Sequence, residues 1–182
     1  MEIICVKASE NKNFNSKFIR NKIKDKIFSS VFGSNFNETI IIDKYGKPIS
    51  VIKPYFNISY SGCYMVFLFS EVCSIGIDIE KHCEIDFYVY AKVFHNEENL
   101  FINNKAKRFF KVWTKKEAIL KCHGIGLNPK MNTINTLENP SSFDNQNFYT
   151  KEVIINRFYS CNIASKSPIG KIDIKTINLT IK

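Results

Sequence analysis

Apolar residues recur along the chain at two periods, one helical and one extended. Ile19, Ile23 and Ile27 recur every four residues, so residues 14–32 are predicted to form a helix with one apolar face. Short runs that are continuously apolar, or that alternate apolar and polar residues, predict strands instead. These runs lie at residues 2–7, 39–43, 64–70, 74–80, 153–165 and 171–182.

The middle of the chain predicts more helix, followed by a polar connection. Residues 86–94 and 97–121 have helical spacing, with a break near Asn103 and Asn104. Residues 128–147 are rich in Asn, Ser and Pro, and predict a loop around a short strand. A helix followed by strands therefore occurs twice, once on each side of Gly76. We expect the runs at 64–70 and 74–80 to pair as a hairpin.

Two carboxylates stand close together in the segment GIDIE, residues 76–80. Side chains two residues apart in a strand share a face, roughly 6.5 Å apart, so Asp78 and Glu80 point out together while Ile77 and Ile79 point into a core. Alone, such a pair is more often a solvated strand face. A cation between the two anions would relieve their repulsion, and oxygen ligands of this kind suit Mg²⁺.

The segment WTKKEAILK, residues 113–121, places three functional side chains on one helix face. Trp113, Glu117 and Lys121 follow one another at four-residue spacing, which aligns an indole, an acid and a base. A Glu–Lys pair at this spacing is by itself usually a surface ion pair. Next to a metal-binding pair of carboxylates, it indicates chemistry on phosphate groups.

Three flanking segments add candidate ligands. FNISYSG, residues 56–62, offers the hydroxyls of Ser59 and Ser61 to a phosphate, or is an ordinary turn. Lys47 is either a phosphate contact or a turn lysine. Glu97 or Glu98 is either a third oxygen ligand for the metal or an acid favoured at a helix N-terminus.

Together these segments resemble the larger, surfactin-synthetase-activating type of 4′-phosphopantetheinyl transferase. The family motifs G-[IV]-D-[IV]-E and W-[ST]-x-K-E-[AS]-x-x-K match residues 76–80 and 113–121, and F-N-x-S-H-S-G matches 56–62 apart from Tyr60. The family's G-K-P and K-x-x-G-x-G-L motifs match residues 46–48 and 121–127, so all five motifs occur in the family's order. The resemblance covers residues 45–127 and implies two similar α+β halves with the active site between them, here residues 1–75 and 76–182.

The resemblance also implies a reaction and a role for each residue. The enzyme would move 4′-phosphopantetheine from coenzyme A to a serine of an acyl or peptidyl carrier protein, with Mg²⁺, and release 3′,5′-ADP. Asp78 and Glu80 would hold the metal, with Glu98 favoured as third ligand because it lies four residues after Phe94. Glu117 would be the base, and Lys121 would stabilise or protonate the leaving group. The phosphates would be lined by Lys47, Ser59, Tyr60, Ser61, Lys116 and Lys121.

Tyr60 departs from the family pattern, which has a phosphate-contacting histidine at this position. A phenol donates a hydrogen bond but carries no positive charge near neutral pH. This change favours an alternative in which the protein binds coenzyme A or a carrier without catalysing transfer. Basic residues of the first helix are candidates for the 3′-phosphate of coenzyme A: Lys17, Arg20, Lys22 and Lys24.

Composition narrows the class of protein. The net charge is +9, which fits acidic protein partners and polyphosphate ligands, and leaves a nucleic-acid-binding protein as a rival without a recognisable motif. We expect no membrane span, since no apolar run of about 18 residues occurs. The 6 cysteines lack metal-binding spacing and the N-terminus does not resemble a signal peptide. These features predict a reduced, cytoplasmic protein, and two halves in one chain predict a monomer.

Overall fold

A computed structural model describes residues 1–9, 13–43, 48–72, 74–126 and 128–179 of the chain. The fold is α+β, as predicted. Its strands are β1 (Glu2–Ala8), β2 (Ile40–Ile42), β3 (Pro48–Ser50), β4 (Tyr55–Ser61), β5 (Tyr64–Ser70), β6 (Ile75–Lys81), β7 (Ser141–Phe143), β8 (Gln146–Glu152), β9 (Tyr159–Ser165) and β10 (Asp173–Leu179). Its α-helices are α1 (Lys17–Phe32), α2 (Phe87–Tyr90), α3 (Asn96–Ile102) and α4 (Ala106–His123).

The strands form two sheets of four strands and a small ribbon. The first sheet has the order β10-β1-β5-β4, and the second has the order β6-β9-β8-β7. β2 and β3 pair with each other. Every pairing in the two large sheets is antiparallel except that of β1 with β10.

Each large sheet packs a helix against one face, and the two sheets share a core. Phe28 and Ile27 of α1 pack with Phe67 of the first sheet, while Ile119 of α4 packs with Phe148 of the second. A further cluster joins β1 and β5 to β6 and β9 through Ile3, Val66, Leu68, Ile77 and Ile163, all fully buried. The shared core fixes β6, and with it the carboxylate pair, against the first sheet.

The helix boundaries follow local sequence signals. Ser16 caps α1 by accepting a hydrogen bond from the Ile19 amide. Asn103 and Asn104 adopt positive φ and end α3, which confirms the predicted break. α4 ends at Gly124 with a φ of 96°, a conformation that glycine adopts without steric cost.

The predicted hairpin of residues 64–70 and 74–80 is wrong. β5 pairs with β1 and β4, whereas β6 pairs with β9 in the other sheet. The hairpin is instead formed by β4 and β5, so the FNISYSG segment is mostly strand. Alternation along a strand indicates that it pairs, but it does not identify the partner.

The predicted division after residue 75 falls within β6, and β10, from the second predicted half, lies in the first sheet. The two-half organisation therefore stays a prediction. Within the described part of the chain, no helix is long and apolar enough to cross a membrane.

Candidate active site

The edges of the two sheets meet where β4 lies beside β6. Three β4 side chains accept hydrogen bonds from backbone amides of β6, each 20 residues further along the chain. The donor–acceptor distances are 2.9 Å from the Ile77 amide to Asn57 Oδ1, 3.3 Å from Ile79 to Ser59 Oγ and 3.0 Å from Lys81 to Ser61 Oγ. Side chains of one sheet thus satisfy the edge amides of the other.

The same two serines hold the predicted metal-binding acids. Ser59 donates to Oδ1 of Asp78 at 2.9 Å, and Ser61 donates to Oε2 of Glu80 at 2.8 Å. Each hydroxyl therefore accepts from an amide and donates to a carboxylate, which fixes both acids on one face of β6. Sequence reasoning assigned Ser59 and Ser61 to phosphate and did not identify the role of Asn57. The signal was present as polar residues at alternate positions of one strand.

α4 crosses β6 closely enough to bring its charged face to this pair. A side chain at Gly76 would collide with the backbone of Ala118 and Cys122. The ammonium group of Lys121 lies 2.6 Å from Oδ1 of Asp78 and also donates to Ser59 Oγ and the Ile77 carbonyl, at 3.1 and 3.2 Å. The absence of a side chain at Gly76 therefore allows the contact that aligns Lys121 with Asp78.

Asp78 has an unbalanced environment. Its side chain is buried. Oδ1 accepts hydrogen bonds from the Ser59 hydroxyl and the Lys121 ammonium group, whereas the buried Oδ2 has no hydrogen-bond partner among the described residues. A buried carboxylate oxygen without a partner is costly. It is a suitable ligand for a hard cation such as Mg²⁺, which binds one or two carboxylates and completes its shell with water and phosphate oxygens.

Burial and the negative charge of Asp78 raise the pKa of both Glu117 and Glu80. Burial, followed by repulsion from Asp78, raises the pKa of Glu117 to about 7. The same two causes, in the same order, raise the pKa of Glu80, and the hydrogen bond from Ser61 opposes the shift. Lys121 lowers the pKa of both acids. A carboxyl that titrates near neutral pH beside the predicted metal-binding acids has the properties of a general base.

Glu98 and Lys116 lie together at a different place. Their side chains are fully buried and form an ion pair at 2.7 Å. Glu98 also accepts from the His95 amide and from the amide and hydroxyl of Thr136, while Lys116 donates to the Met131 and Ile134 carbonyls. No hydrogen bond or ion pair among the described residues joins Glu98 to Asp78 or Glu80; its partners are His95, Lys116 and Thr136.

A cavity of about 290 Å³ opens beside the acids. Its lining includes Tyr60 of β4 and Lys24 of α1, and Lys121 connects it to the carboxylates. The other lining residues are Pro48, Phe56, Asn57, Ile58, Gly124 and Gly126. Two basic side chains, Lys24 and Lys121, thus line a mostly apolar cavity, which suits a ligand that has both apolar and anionic groups. Lys47, another predicted phosphate contact, lies outside the described residues.

The sequence that forms this site is similar to known proteins. A model of the 4′-phosphopantetheinyl transferase superfamily matches residues 74–164, half of the chain, which include β6 and α4. The 4′-phosphopantetheinyl transferase gsp of Aneurinibacillus migulanus is 38% identical over 98 residues, covering 50% of this chain and 41% of its own length.

A protein of Synechocystis sp. (strain ATCC 27184 / PCC 6803 / Kazusa), provisionally named for the same activity, is 31% identical over 109 residues. That match covers 54% of this chain and 44% of the relative. The matched region thus spans less than half the length of either curated relative.

Proposed function

Because the chain belongs to the 4′-phosphopantetheinyl transferase superfamily, we propose that it transfers 4′-phosphopantetheine from coenzyme A to a serine hydroxyl of an acyl or peptidyl carrier protein. The observation that carries this proposal is the meeting of β6 and α4 within the matched region. There Lys121 is paired with Asp78, and Glu117 titrates near neutral pH in the field of the same acid.

Asp78 and Glu80 are the residues that would hold Mg²⁺. The unpartnered Oδ2 of Asp78 and the shared face of the two acids fit a hard cation. When bound, the ion would neutralise negative charge on the diphosphate oxygens of coenzyme A. Glu117 is the acid within electrostatic reach of this pair, so the proposed site consists of these three carboxylates and Lys121.

Glu117 would accept the proton of the carrier serine as its oxygen attacks phosphorus. The new bond joins the serine oxygen to phosphorus, and the bond from phosphorus to the oxygen of 3′,5′-ADP breaks with its electron pair. Lys121, held by Asp78, Ser59 and the Ile77 carbonyl, would stabilise the charge that collects on the leaving phosphate. Glu98 and Lys116 have a structural part in this proposal.

The transfer is tested by mixing the protein with coenzyme A, Mg²⁺ and apo carrier proteins from fatty-acid, polyketide and peptide synthesis. The intact mass of an accepted carrier should rise by one phosphopantetheine group, and a chelator of divalent metal should prevent the rise. Binding of coenzyme A with no mass gain on any carrier would instead support the non-catalytic alternative, which the tyrosine at position 60 favours.

A further inference from the structure

Two buried side-chain oxygens on neighbouring strands of the second sheet lack hydrogen-bond partners. One is Oδ2 of Asp78 on β6 and the other is Oδ1 of Asn162 on β9, and neither finds a partner within the part of the chain that the structure describes. The Asp78 residue is 2% exposed and Asn162 is fully buried. A buried oxygen of this kind is costly unless a donor or a cation meets it.

The strand register places these two residues opposite each other. Asp78 pairs with Asn162 in the antiparallel ladder of β6 and β9. Directly opposed residues project from the same face of a sheet, with their Cβ atoms roughly 4.5–5.5 Å apart. On this face α4 contacts both of them, through Lys121 at Asp78 and Thr114 at Asn162. The two side chains therefore lie beneath α4, close enough together to share one small ligand.

Contacts with α4 fix the orientation of the Asn162 amide. Its Nδ2 donates to the Thr114 hydroxyl at 2.8 Å and to the Lys111 carbonyl at 3.4 Å. The Thr114 hydroxyl itself donates to the Phe110 carbonyl at 2.7 Å, so its oxygen accepts from the amide. The carbonyl oxygen of Asn162 is thus the atom that remains for Asp78 or for a shared ligand. Since two acceptors cannot bond to each other, the shared ligand is either a cation or a donor such as water.

A neutral oxygen at this position suits a site for a hard cation. Amide carbonyls, like carboxylates and water, are ligands for Mg²⁺ and related ions. The amide adds an oxygen without adding negative charge, so a bound ion keeps more of its charge for phosphate oxygens. A fourth carboxylate beside Asp78, Glu80 and Glu117 would instead increase the repulsion among the acids.

We propose that Asn162 is a further oxygen ligand of the cation held by Asp78, and that it binds through Oδ1 while Asp78 binds through Oδ2. This inference rests on the proposed function, in which Asp78 and Glu80 hold Mg²⁺. Sequence spacing could not identify Asn162, because only the pairing of β6 with β9 brings it opposite Asp78.

Calorimetric titration of Mg²⁺ into the full chain, without coenzyme A or a carrier, tests this directly. Asn162→Leu removes the oxygen at similar side-chain volume and should weaken Mg²⁺ binding about tenfold. Its stability in a chelator should change little, whereas the stabilisation that Mg²⁺ adds to the parent should shrink. Unchanged Mg²⁺ affinity would assign the shared ligand as water, or Asn162 as a purely structural residue, and would overturn the inference.

Asn162→Asp distinguishes the oxygen of the amide from its amino group. This variant retains an oxygen but loses the donor to Thr114, and it should bind Mg²⁺ at least as tightly as the parent. A loss equal to that in Asn162→Leu would show that the amino group supports the site instead. That result would also overturn the inference.

Thr150→Val is the matched control. The Thr150 hydroxyl is buried and likewise lacks a partner among the described residues, but Thr150 lies opposite Ala164, which lies opposite Gly76, so its row contains no acid. Mg²⁺ affinity should stay within about twofold of the parent. An equal loss in Thr150→Val and Asn162→Leu would attribute the effect to disturbed packing and overturn the inference.

The same titrations separate this inference from the proposed function. A parent that binds no Mg²⁺ would overturn the inference together with the proposed metal site. Absence of transfer to every carrier, with this pattern of Mg²⁺ affinities intact, would contradict the proposed transfer alone.

Discussion

The ammonium nitrogen of Lys121 lies 2.6 Å from Oδ1 of Asp78, and this ion pair joins α4 to β6 at the centre of the candidate active site. Asp78 is buried while Lys121 is one-quarter exposed, so the acid depends on the base for charge balance. The pair also leaves Oδ2 of Asp78 without a partner among the described residues. One oxygen is thus occupied by the protein, and the other is available to a cation.

Replacing Lys121 by Met should separate its role in transfer from its effect on the metal. Turnover should fall, because the leaving phosphate loses a positive charge. Affinity for Mg²⁺ in the absence of nucleotide should rise, because Asp78 and Glu80 lose their competing cation. Calorimetry of Mg²⁺ binding and initial transfer rates measure the two effects.

Lys111→Met provides the control for Lys121→Met. Lys111 lies on the same helix and pairs with Glu152 at 2.7 Å, but both side chains are about 40% exposed. Neither turnover nor Mg²⁺ affinity should change appreciably. Weaker Mg²⁺ binding in Lys121→Met than in this control would show that Lys121 supports the metal rather than competing with it.

Glu117→Gln should remove one ionisation from the pH profile of transfer. A base must be deprotonated to act. The pKa of Glu117 is about 7 without bound metal, and Mg²⁺ held by Asp78 and Glu80 would lower it, so the parental rate should rise with pH in the range below about 7. The Gln variant should lose about 10²–10⁴-fold in rate and lack that rise, while still binding coenzyme A. A variant that transfers at the parental rate would exclude Glu117 as the base.

The same substitution should change stability with pH in a defined direction. The folded state holds the Glu117 proton up to about pH 7, whereas the unfolded state releases it near its ordinary pKa of about 4.3. Stability of the metal-free parent should therefore fall as pH rises between these values, and Glu117→Gln should reduce the fall. Denaturant unfolding at several pH values, in the presence of a chelator, measures the stability of the parent and of Glu117→Gln. An identical pH dependence of stability in the two proteins would contradict the raised pKa of Glu117.

Glu98→Gln should lower the stability of the fold and have little effect on the affinity for Mg²⁺. The substitution leaves the buried Lys116 without its counter-ion, which typically costs about 3–5 kcal/mol in the free energy of unfolding. Mg²⁺ affinity should be nearly unchanged. Glu97→Gln is the matched control, since Glu97 is exposed and accepts from the Asn135 side chain. A stable Glu98→Gln variant with weakened Mg²⁺ binding would instead make Glu98 a ligand.

Charge reversal at Lys105 and Lys107 should weaken the binding of an acidic carrier protein more than the binding of coenzyme A. Both residues are exposed at the start of α4, away from the lining of the cavity. The Michaelis constant for the carrier should rise, and more steeply at low salt, where screening is weak. Reversal at the exposed Lys166, after β9, is the control. Equal effects on both substrates would contradict a docking surface at these lysines.

The sequence predicted the chemistry of the site better than its architecture. The two-residue spacing of Asp78 and Glu80, and the four-residue spacing of Glu117 and Lys121, are local properties of a strand and a helix, so they could be inferred without the fold. The closeness of Lys121 to Asp78 depends on the packing of α4 over Gly76. That contact is tertiary, and sequence spacing alone could not provide it.

The roles of the polar side chains were harder to foresee. Ser59 and Ser61 resemble phosphate ligands in sequence, but their hydroxyls bridge the two sheets and hold the acids. Glu98 has the spacing of a ligand, yet four protein donors surround it. A hydroxyl or a carboxylate is suited to several partners, and only the packing of distant segments determines which partner it meets.

The most direct test of the account is a single-turnover reaction of the full chain with coenzyme A, Mg²⁺ and an acidic apo carrier protein. The carrier's intact mass and the release of 3′,5′-ADP are followed in the same samples. The account predicts that both increase together in equal amounts, and that neither increases when Asp78 is replaced by Asn. Release of 3′,5′-ADP without a heavier carrier, or transfer at the parental rate by Asp78→Asn, would contradict it.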